Sequence, residues 1–101
     1  MVERLCVKIP DYPEPGVLFR DLTPLFADAA GFRRTTDALA DAFADRFDFV
    51  AGVEARGFLM AGAVAYAAGV GLIPVRKAGK LPRETFREEY VLEYGSAVLE
   101  I

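Results

Sequence analysis

Histidine is absent from this chain, and cysteine occurs once, at Cys6. Without histidine, these 101 residues contain no histidine general base, no Ser-His or Cys-His nucleophile pair and no histidine-ligated zinc. A single cysteine gives no disulfide framework, so cytoplasm is the default expectation, and Cys6 is best interpreted as a small apolar filler. Any acid–base step that this chain performs must use carboxylates, tyrosine or lysine.

Long hydrophobic runs and excess positive charge are also lacking. No apolar run reaches the roughly 18 residues that indicate a membrane span, and the N-terminus lacks the basic start and apolar core of a signal peptide. The formal net charge is -3 and the pI is about 4.9, which argues against nucleic acid as the main partner. We therefore expect a cytoplasmic chain of one domain at most, with no membrane and no nucleic acid as partner.

Proline and glycine divide the first half of the chain. The segment 9–23 is rich in residues that interrupt regular structure: Pro10, Pro13, Pro15 and Gly16. Their density predicts an ordered surface loop with no helix or strand. Asp28 is placed to cap a helix that we expect to run to about Phe47. Segment 58–68 predicts an Ala-rich helix that Gly69 ends in a left-handed conformation.

The strand pattern predicts an α/β fold. Segments 49–53 and 72–75 are short and apolar, each follows a predicted helix, and the lack of alternation in 49–53 predicts burial on both faces. Pro74 predicts an edge or an irregularity in the second of them. Segments 88–93 and 97–101 predict a hairpin, which gives a parallel pair with an antiparallel extension. Since such a thin sheet needs cover and the pattern stops at the last residue, we expect about half of a larger α/β unit.

Three segments are candidate sites. Five of the twelve Lys and Arg residues lie in 76–87, and this basic run predicts an anion site or, alternatively, a solvated loop. The turn 54–57 joins a predicted strand to a predicted helix, where backbone N–H groups and Arg56 suit a phosphate; the alternative is an ion pair between Glu54 and Arg56. In 16–21, Phe19 is suited to stack on a flat heterocycle or, alternatively, to plug the loop onto the core.

Glu93 lies close in sequence to the basic run, with Tyr94 beside it. A carboxylate can transfer a proton to or from a ring nitrogen, and the alternative for Glu93 is a solvated strand residue.

Taken together and in order, these segments resemble the adenine phosphoribosyltransferase family. The motifs are 9–13 (Ile-Pro-Asp-Tyr-Pro), 15–24 (Pro-Gly-Val-Leu-Phe-Arg-Asp-Leu-Thr-Pro), 52–58 (Gly-Val-Glu-Ala-Arg-Gly-Phe), 76–82 (Arg-Lys-Ala-Gly-Lys-Leu-Pro) and 92–95 (Leu-Glu-Tyr-Gly). The resemblance implies a type I phosphoribosyltransferase fold: a Rossmann-like parallel sheet with flanking helices, a hood loop and a flap hairpin. It also implies the reaction of adenine with phosphoribosyl pyrophosphate to give AMP and pyrophosphate. Magnesium would be carried with phosphoribosyl pyrophosphate, and the implied assembly is a homodimer.

The resemblance also assigns residues. It implies that Val17, Leu18, Phe19 and Arg20 hold adenine, that Glu54, Ala55 and Arg56 form the pyrophosphate loop, and that Arg76, Lys77 and Lys80 contact pyrophosphate. A non-proline cis peptide is implied at Glu54–Ala55. Glu93, with Tyr94 beside it, is implied to handle the adenine proton, and Arg56 completes the implied catalytic set. No residue is implied as a metal ligand.

By the same resemblance the chain divides into a hood and N-terminal arm (1–27), an α/β core (28–78) and a flap hairpin (79–101). The family's ribose-phosphate motif, two adjacent acids after an apolar strand followed by a Thr/Gly-rich loop, has no match in these residues. We therefore expect the 101 residues by themselves to be inactive. The alternative function is a non-catalytic purine-binding or dimerisation module derived from that fold.

Overall fold

The computed structural model of the protein describes residues 2–92 and 95–101. Its contacts divide the chain into two compact units, Met1–Ala38 and Leu39–Ile101. No helix in these described ranges is both long and apolar enough to cross a membrane.

The first unit contains two short helices, an antiparallel ribbon and most of a longer helix. The elements are α1 (Val2–Leu5), β1 (Val7–Pro10), β2 (Leu18–Asp21), α2 (Thr23–Ala27) and α3 (Ala29–Ala42), the last of which continues into the second unit. In the ribbon, Val7 lies opposite Asp21 and Pro10 opposite Leu18. Leu25 of α2 is the most deeply buried side chain among the described residues, with 1% of its surface exposed.

The prediction that 9–23 contains no regular structure was wrong, because the segment includes the end of β1, all of β2 and the first residue of α2. Pro10 is the last residue of β1, and a two-stranded ribbon has a free edge on each side, so the missing N–H of proline is tolerated there. Pro13 and Pro15 lie in the connection, where Gly16 has a φ of +87° and the Tyr12–Pro13 peptide is cis.

Asp28 caps α3 as predicted. Its Oδ2 accepts a hydrogen bond from the backbone N–H of Gly31 at 2.7 Å, which satisfies one of the free donors of the first turn. The predicted end at Phe47 was wrong, since the helix ends at Ala42. Asp45 has a φ of +63°, and a left-handed residue at that position cannot continue a right-handed helix.

The second unit is an α/β sheet with one parallel and two antiparallel pairings. Its elements are β3 (Phe49–Val53), α4 (Arg56–Ala68), β4 (Gly71–Lys77), β5 (Arg87–Leu92) and β6 (Gly95–Glu100). The strand order is β3-β4-β6-β5, with β3 parallel to β4 and β6 antiparallel to both of its neighbours. The predicted strands, the antiparallel pairing of the hairpin and the helix ended by Gly69 at φ +71° are confirmed, although β6 begins at Gly95, two residues earlier than predicted.

Two details of the sheet test finer predictions. The described ladder between β4 and β6 contains Arg76 and Lys77, so Pro74 lies where β4 bonds to β3 alone, as its missing donor indicated. Burial of β3 on both faces was wrong: Phe49 is 61% exposed and Val53 46% exposed. The exposed residues alternate with Val50 and Gly52, so one face of β3 packs against α4 and the other is uncovered in the described residues.

Candidate anion-binding site

The turn after β3 is held against β4 and leads into a helix. The backbone N–H of Glu54 donates to the carbonyl of Val75 at 2.9 Å, which extends the pairing of the two strands by one residue. The Glu54–Ala55 peptide is cis, as the family resemblance predicted. Helix α4 then begins at Arg56. The turn therefore lies at the carboxyl end of parallel strands, where α/β sheets bind their ligands.

The carboxylate of Glu54 gathers the basic run around it. Its Oε1 accepts the backbone N–H of Lys77 at 2.6 Å, and its Oε2 accepts the ammonium of Lys80 at 2.6 Å. The Nε of Arg76 lies 3.5 Å from Oε1. The Glu54 side chain is only 7% exposed, whereas Arg76 is 36% and Lys80 48% exposed. The side chains of Arg76 and Lys80 therefore reach solvent, whereas the Glu54 carboxylate that pairs with them is nearly buried.

These contacts decide the protonation of Glu54. The hydrogen bond from Lys80 is the main cause that lowers the pKa of the Glu54 carboxyl, and the Lys77 N–H and the charges of Lys80 and Arg76 act in the same direction. Together they outweigh the opposing effect of desolvation. Glu54 is therefore a carboxylate at neutral pH, suited to hold cations in place and unsuited to donate a proton.

Arg76 is also supported by an aromatic ring. The guanidinium carbon lies 5.8 Å from the centroid of the Phe58 ring in the first turn of α4, within the range of a cation–π contact. Its Nε is buried and makes no hydrogen bond, although it lies within ion-pair distance of Glu54. Arg76 is thus restrained from two sides.

Glu100 is a second carboxylate with contacts to the basic run, and the sequence analysis did not single it out. Its Oε1 accepts the N–H of Gly79 at 2.6 Å, and its Oε2 accepts the hydroxyl of Thr85. The Thr85 hydrogen bond is the main cause that lowers the pKa of Glu100, followed by the Gly79 N–H. No local pattern marks this residue, since its partners Gly79 and Thr85 lie 21 and 15 positions earlier in the sequence.

The predicted adenine-binding residues lie in the first unit. Val17 precedes β2, and Leu18, Phe19 and Arg20 belong to it. The rings of Phe19 and Tyr12 meet edge to face with 5.1 Å between their centroids, and Phe19 is half-buried. Tyr12 therefore already contacts the Phe19 ring, and both interpretations of Phe19, stacking platform and plug, stay open.

The proposed proton-handling residues Glu93 and Tyr94 lie outside the described residues. Within residues 2–92 and 95–101, no three side chains of the metal-ligating types come together.

An apolar cavity of about 510 Å³ lies elsewhere in the second unit. Its walls include Leu39, Phe43, Phe49 and Val64, and Arg46 is the charged residue among those that line it. It contains neither Glu54 nor the basic run, so it lacks the converging cations that a pyrophosphate requires.

No family model matches the chain. In sequence it is 64% identical over 100 residues to the adenine phosphoribosyltransferase of Renibacterium salmoninarum, a match that covers 99% of this chain and 55% of that relative. In structure it is similar to the adenine phosphoribosyltransferase of Thermoanaerobacter pseudethanolicus, with a TM-score of 0.91, 48% identity, and coverage of 99% of this chain and 59% of the other. The Saccharomyces cerevisiae adenine phosphoribosyltransferase, solved in complex with an iminoaltritol bisphosphate and adenine, gives a TM-score of 0.87 at 42% identity, with coverage of 99% and 60%. The chain spans about half the length of the curated relatives that it matches.

Proposed function

Because the chain belongs to the adenine phosphoribosyltransferase family and carries part of the type I phosphoribosyltransferase fold, we propose that the complete protein acts in purine salvage. It transfers the 5-phosphoribosyl group from phosphoribosyl pyrophosphate to adenine and releases AMP and pyrophosphate. In this proposal magnesium enters with phosphoribosyl pyrophosphate as part of the substrate. The working assembly is a homodimer in the cytoplasm.

The observation that carries the proposal is the convergence of cations on the cis turn. Lys80 and Arg76 meet the carboxylate of Glu54 at the carboxyl end of β3, and both keep a third or more of their side-chain surface in solvent. A leaving group that bears several negative charges would be met by fixed positive groups. Preorganised charge of this kind is often the largest single contribution to catalysis.

The charges of the basic residues and of Glu54 indicate a different role for each of them. As the bond between the sugar and pyrophosphate breaks, negative charge grows on the leaving oxygens, and Arg76 and Lys80 stabilise it together with Lys77 and Arg56. Glu54, Ala55 and Arg56 form the pyrophosphate loop. Within it the Glu54 carboxylate orients the cations and does not face the anion, because its two oxygens would repel pyrophosphate. A flap that closes over the site excludes water, which would otherwise hydrolyse the activated sugar.

The base is handled by the other set of predicted residues. Adenine is held by Val17, Leu18 and Phe19, with Arg20 closing the pocket. As the new bond between the sugar and adenine forms, the ring nitrogen must lose its proton, and Glu93 handles that proton with Tyr94 beside it. The adenine named in the Saccharomyces cerevisiae complex supports this choice of base.

Replacement of Lys80 tests the proposed pyrophosphate site. In the complete protein, Lys80→Gln removes one charge-assisted contact worth about 1.5–3 kcal/mol. We therefore expect the KM for phosphoribosyl pyrophosphate to rise about 10- to 150-fold in steady-state assays of AMP formation. Arg83→Gln is the matched control, because Arg83 is an exposed cation three positions further along the chain. We expect it to leave that KM nearly unchanged, and an unaltered KM in Lys80→Gln would remove Lys80 from the site.

A further inference from the structure

The connection between β4 and β5, residues 78–86, crosses a third strand. Because β6 lies between β4 and β5 in the sheet, this crossover loop must cross β6 to reach β5. Glu100, the last residue of β6, is in register with Arg76 of β4 on one side and Arg87 of β5 on the other. It therefore lies directly between the two strands that the loop joins.

A single carboxylate bonds to both ends of the crossover loop. One oxygen of Glu100 accepts the Gly79 N–H at 2.6 Å near the start of the loop, and the other accepts the Thr85 hydroxyl near its end. Glu100 is 8% exposed, so bonds made there are shielded from competing water. With both oxygens occupied and little exposure, Glu100 is not available to contact a substrate.

The backbone reinforces the same closure. The N–H of Ala78 donates to the carbonyl of Val98 at 2.9 Å, and Phe86 and Ile101 exchange a pair of backbone hydrogen bonds at 3.2 and 3.0 Å. These bonds fix residues just before Gly79 and just after Thr85. The side chain of Glu100 thus completes a ring of contacts at the base of the loop.

Lys80 follows Gly79 directly, and this links the base of the loop to the anion site. Gly79 has a φ of +86°, a conformation that favours glycine, and it sets the direction in which the chain enters Lys80. Two carboxylates therefore hold alternating groups of one short segment: Glu54 holds the Lys77 N–H and the Lys80 ammonium, and Glu100 holds the Gly79 N–H between them.

We propose that Glu100 is a positioning residue that ties the two ends of the crossover loop and thereby holds Lys80 at the site of the leaving pyrophosphate. The inference rests on the proposed function for the identity of the anion, whereas the anchoring itself stands on the hydrogen bonds alone. Loss of the anchor leaves the cation in the chain but lets the loop around it move. The loss of the anchor should therefore weaken binding of phosphoribosyl pyrophosphate and leave binding of adenine unchanged.

The test uses the complete protein with Glu100→Ala, Glu100→Gln and Thr85→Val. Glu100→Ala removes both bonds, and we expect the KM for phosphoribosyl pyrophosphate to rise about 10-fold, as for loss of a group that orients a ligand. The KM for adenine stays within about 2-fold. Glu100→Gln restores most of the loss, since its amide oxygen accepts the Gly79 N–H and its amide nitrogen donates to the Thr85 hydroxyl. Thr85→Val, which removes one bond without changing side-chain shape, gives an intermediate KM.

Hydrogen exchange at the Gly79 amide, measured on the same proteins, reports on the anchoring of the loop independently of enzyme activity. We expect exchange to be faster in Glu100→Ala than in the wild type and near normal in Glu100→Gln. A purely structural role would lower the active fraction, and hence kcat, with an unchanged KM for phosphoribosyl pyrophosphate; that result would overturn the proposal. If Glu100→Ala does not fold, Thr85→Val becomes the test variant. Wild-type values of both the KM for phosphoribosyl pyrophosphate and the Gly79 exchange rate in Thr85→Val would contradict the proposed anchoring role. A third outcome combines the two measurements: the wild-type protein forms no AMP, yet the Gly79 amide exchanges faster in Glu100→Ala. That outcome would contradict the proposed function and would still support the anchoring role of Glu100.

Discussion

At the scale of single residues, Glu54 places a negative charge where an anion is proposed to bind. The carboxylate is nearly buried, and the lowered pKa keeps it ionised while Lys80 and Arg76 stay partly exposed around it. Each cation has more than one hydrogen-bonding N–H group, so bonding to Glu54 does not exhaust it. Glu54 thus pays part of the cost of ordering two long side chains before the ligand arrives.

Phe19→Ala separates stacking from plugging. If adenine stacks on Phe19, the substitution weakens adenine binding by about 1–3 kcal/mol, or roughly 5- to 150-fold in the dissociation constant, as for other bases stacked on aromatic rings. Isothermal titration of the complete protein with adenine measures this effect directly. Phe19→Leu is the control, because it keeps an apolar plug beside Tyr12 but offers no ring. Lower thermal stability of Phe19→Ala with an unchanged adenine affinity would identify Phe19 as a plug.

Glu93→Gln tests the proposed transfer of the adenine proton. The substitution keeps the size of the side chain and removes its basicity, so we expect kcat to fall about 10²- to 10⁴-fold. The dissociation constants of both substrates change little, because binding before reaction does not require the proton to move. Pre-steady-state measurement of a single turnover shows whether the chemical step is the one that slows. A turnover number equal to that of the wild type removes Glu93 from the mechanism.

At the scale of elements, the contact between β3 and α4 sets the position of the cis turn. A Cβ atom placed on Gly52 would lie 2.6 Å from the Cβ of Ala61 and 2.8 Å from the carbonyl oxygen of Gly57. Both distances are shorter than side chains tolerate, so only glycine lets the helix lie this close to the strand. The turn that carries Glu54 begins two residues after Gly52. The short distance between β3 and α4 at Gly52 therefore sets the position of this turn.

Gly52→Ala and Gly62→Ala form a matched pair that tests this packing. We expect Gly52→Ala to destabilise the protein by about 1–3 kcal/mol, since the helix must move away from the strand. Gly62 lies inside α4 with no atom within 4 Å of an added Cβ, so Gly62→Ala should stabilise by up to about 1 kcal/mol through its helix propensity. Urea denaturation of both variants measures the difference. Equal stability of Gly52→Ala and the wild type would contradict the proposed close approach.

Sequence predicted the elements whose signals are local and missed those that depend on distant partners. The helix α4 ended by Gly69 and the capping role of Asp28 follow from residues next to each other in the chain, and the structure has both. The ribbon of β1 and β2 was missed because proline breaks regular structure only where a backbone donor is needed. Nothing in the sequence near Glu100 indicates that β6 inserts between β4 and β5, and the anchoring contacts of Glu100 exist only because it does.

For the candidate site too, the sequence predicted the separate segments but not the contacts between them. The basic run and the turn at Glu54 were each recognised from composition, and the structure brings Arg76, the Lys77 N–H and Lys80 to Glu54. The choice of Lys80 as a partner of Glu54 could not be predicted, since the two residues are 26 positions apart. The assignment of adenine and pyrophosphate came from the family resemblance, because a cation cluster by itself identifies an anion and not which one.

At the scale of the whole molecule, the chain corresponds to about half of its relatives. The 101 residues carry the segments proposed to bind adenine and pyrophosphate, but no pair of adjacent acids followed by a Thr/Gly-rich loop. The account therefore divides substrate recognition along the chain. We propose that the leaving group and the base are recognised by these residues, and that recognition of the ribose phosphate needs residues outside this sequence.

Formation of AMP from adenine and phosphoribosyl pyrophosphate tests this division and the proposed function together. The measurement compares the complete protein with purified residues 1–101, with magnesium present in both assays. The account predicts AMP and pyrophosphate in equal amounts from the complete protein and none from residues 1–101. A folded complete protein that forms no AMP would contradict the proposed activity and favour a non-catalytic purine-binding module, and turnover by residues 1–101 without a second chain would contradict the division.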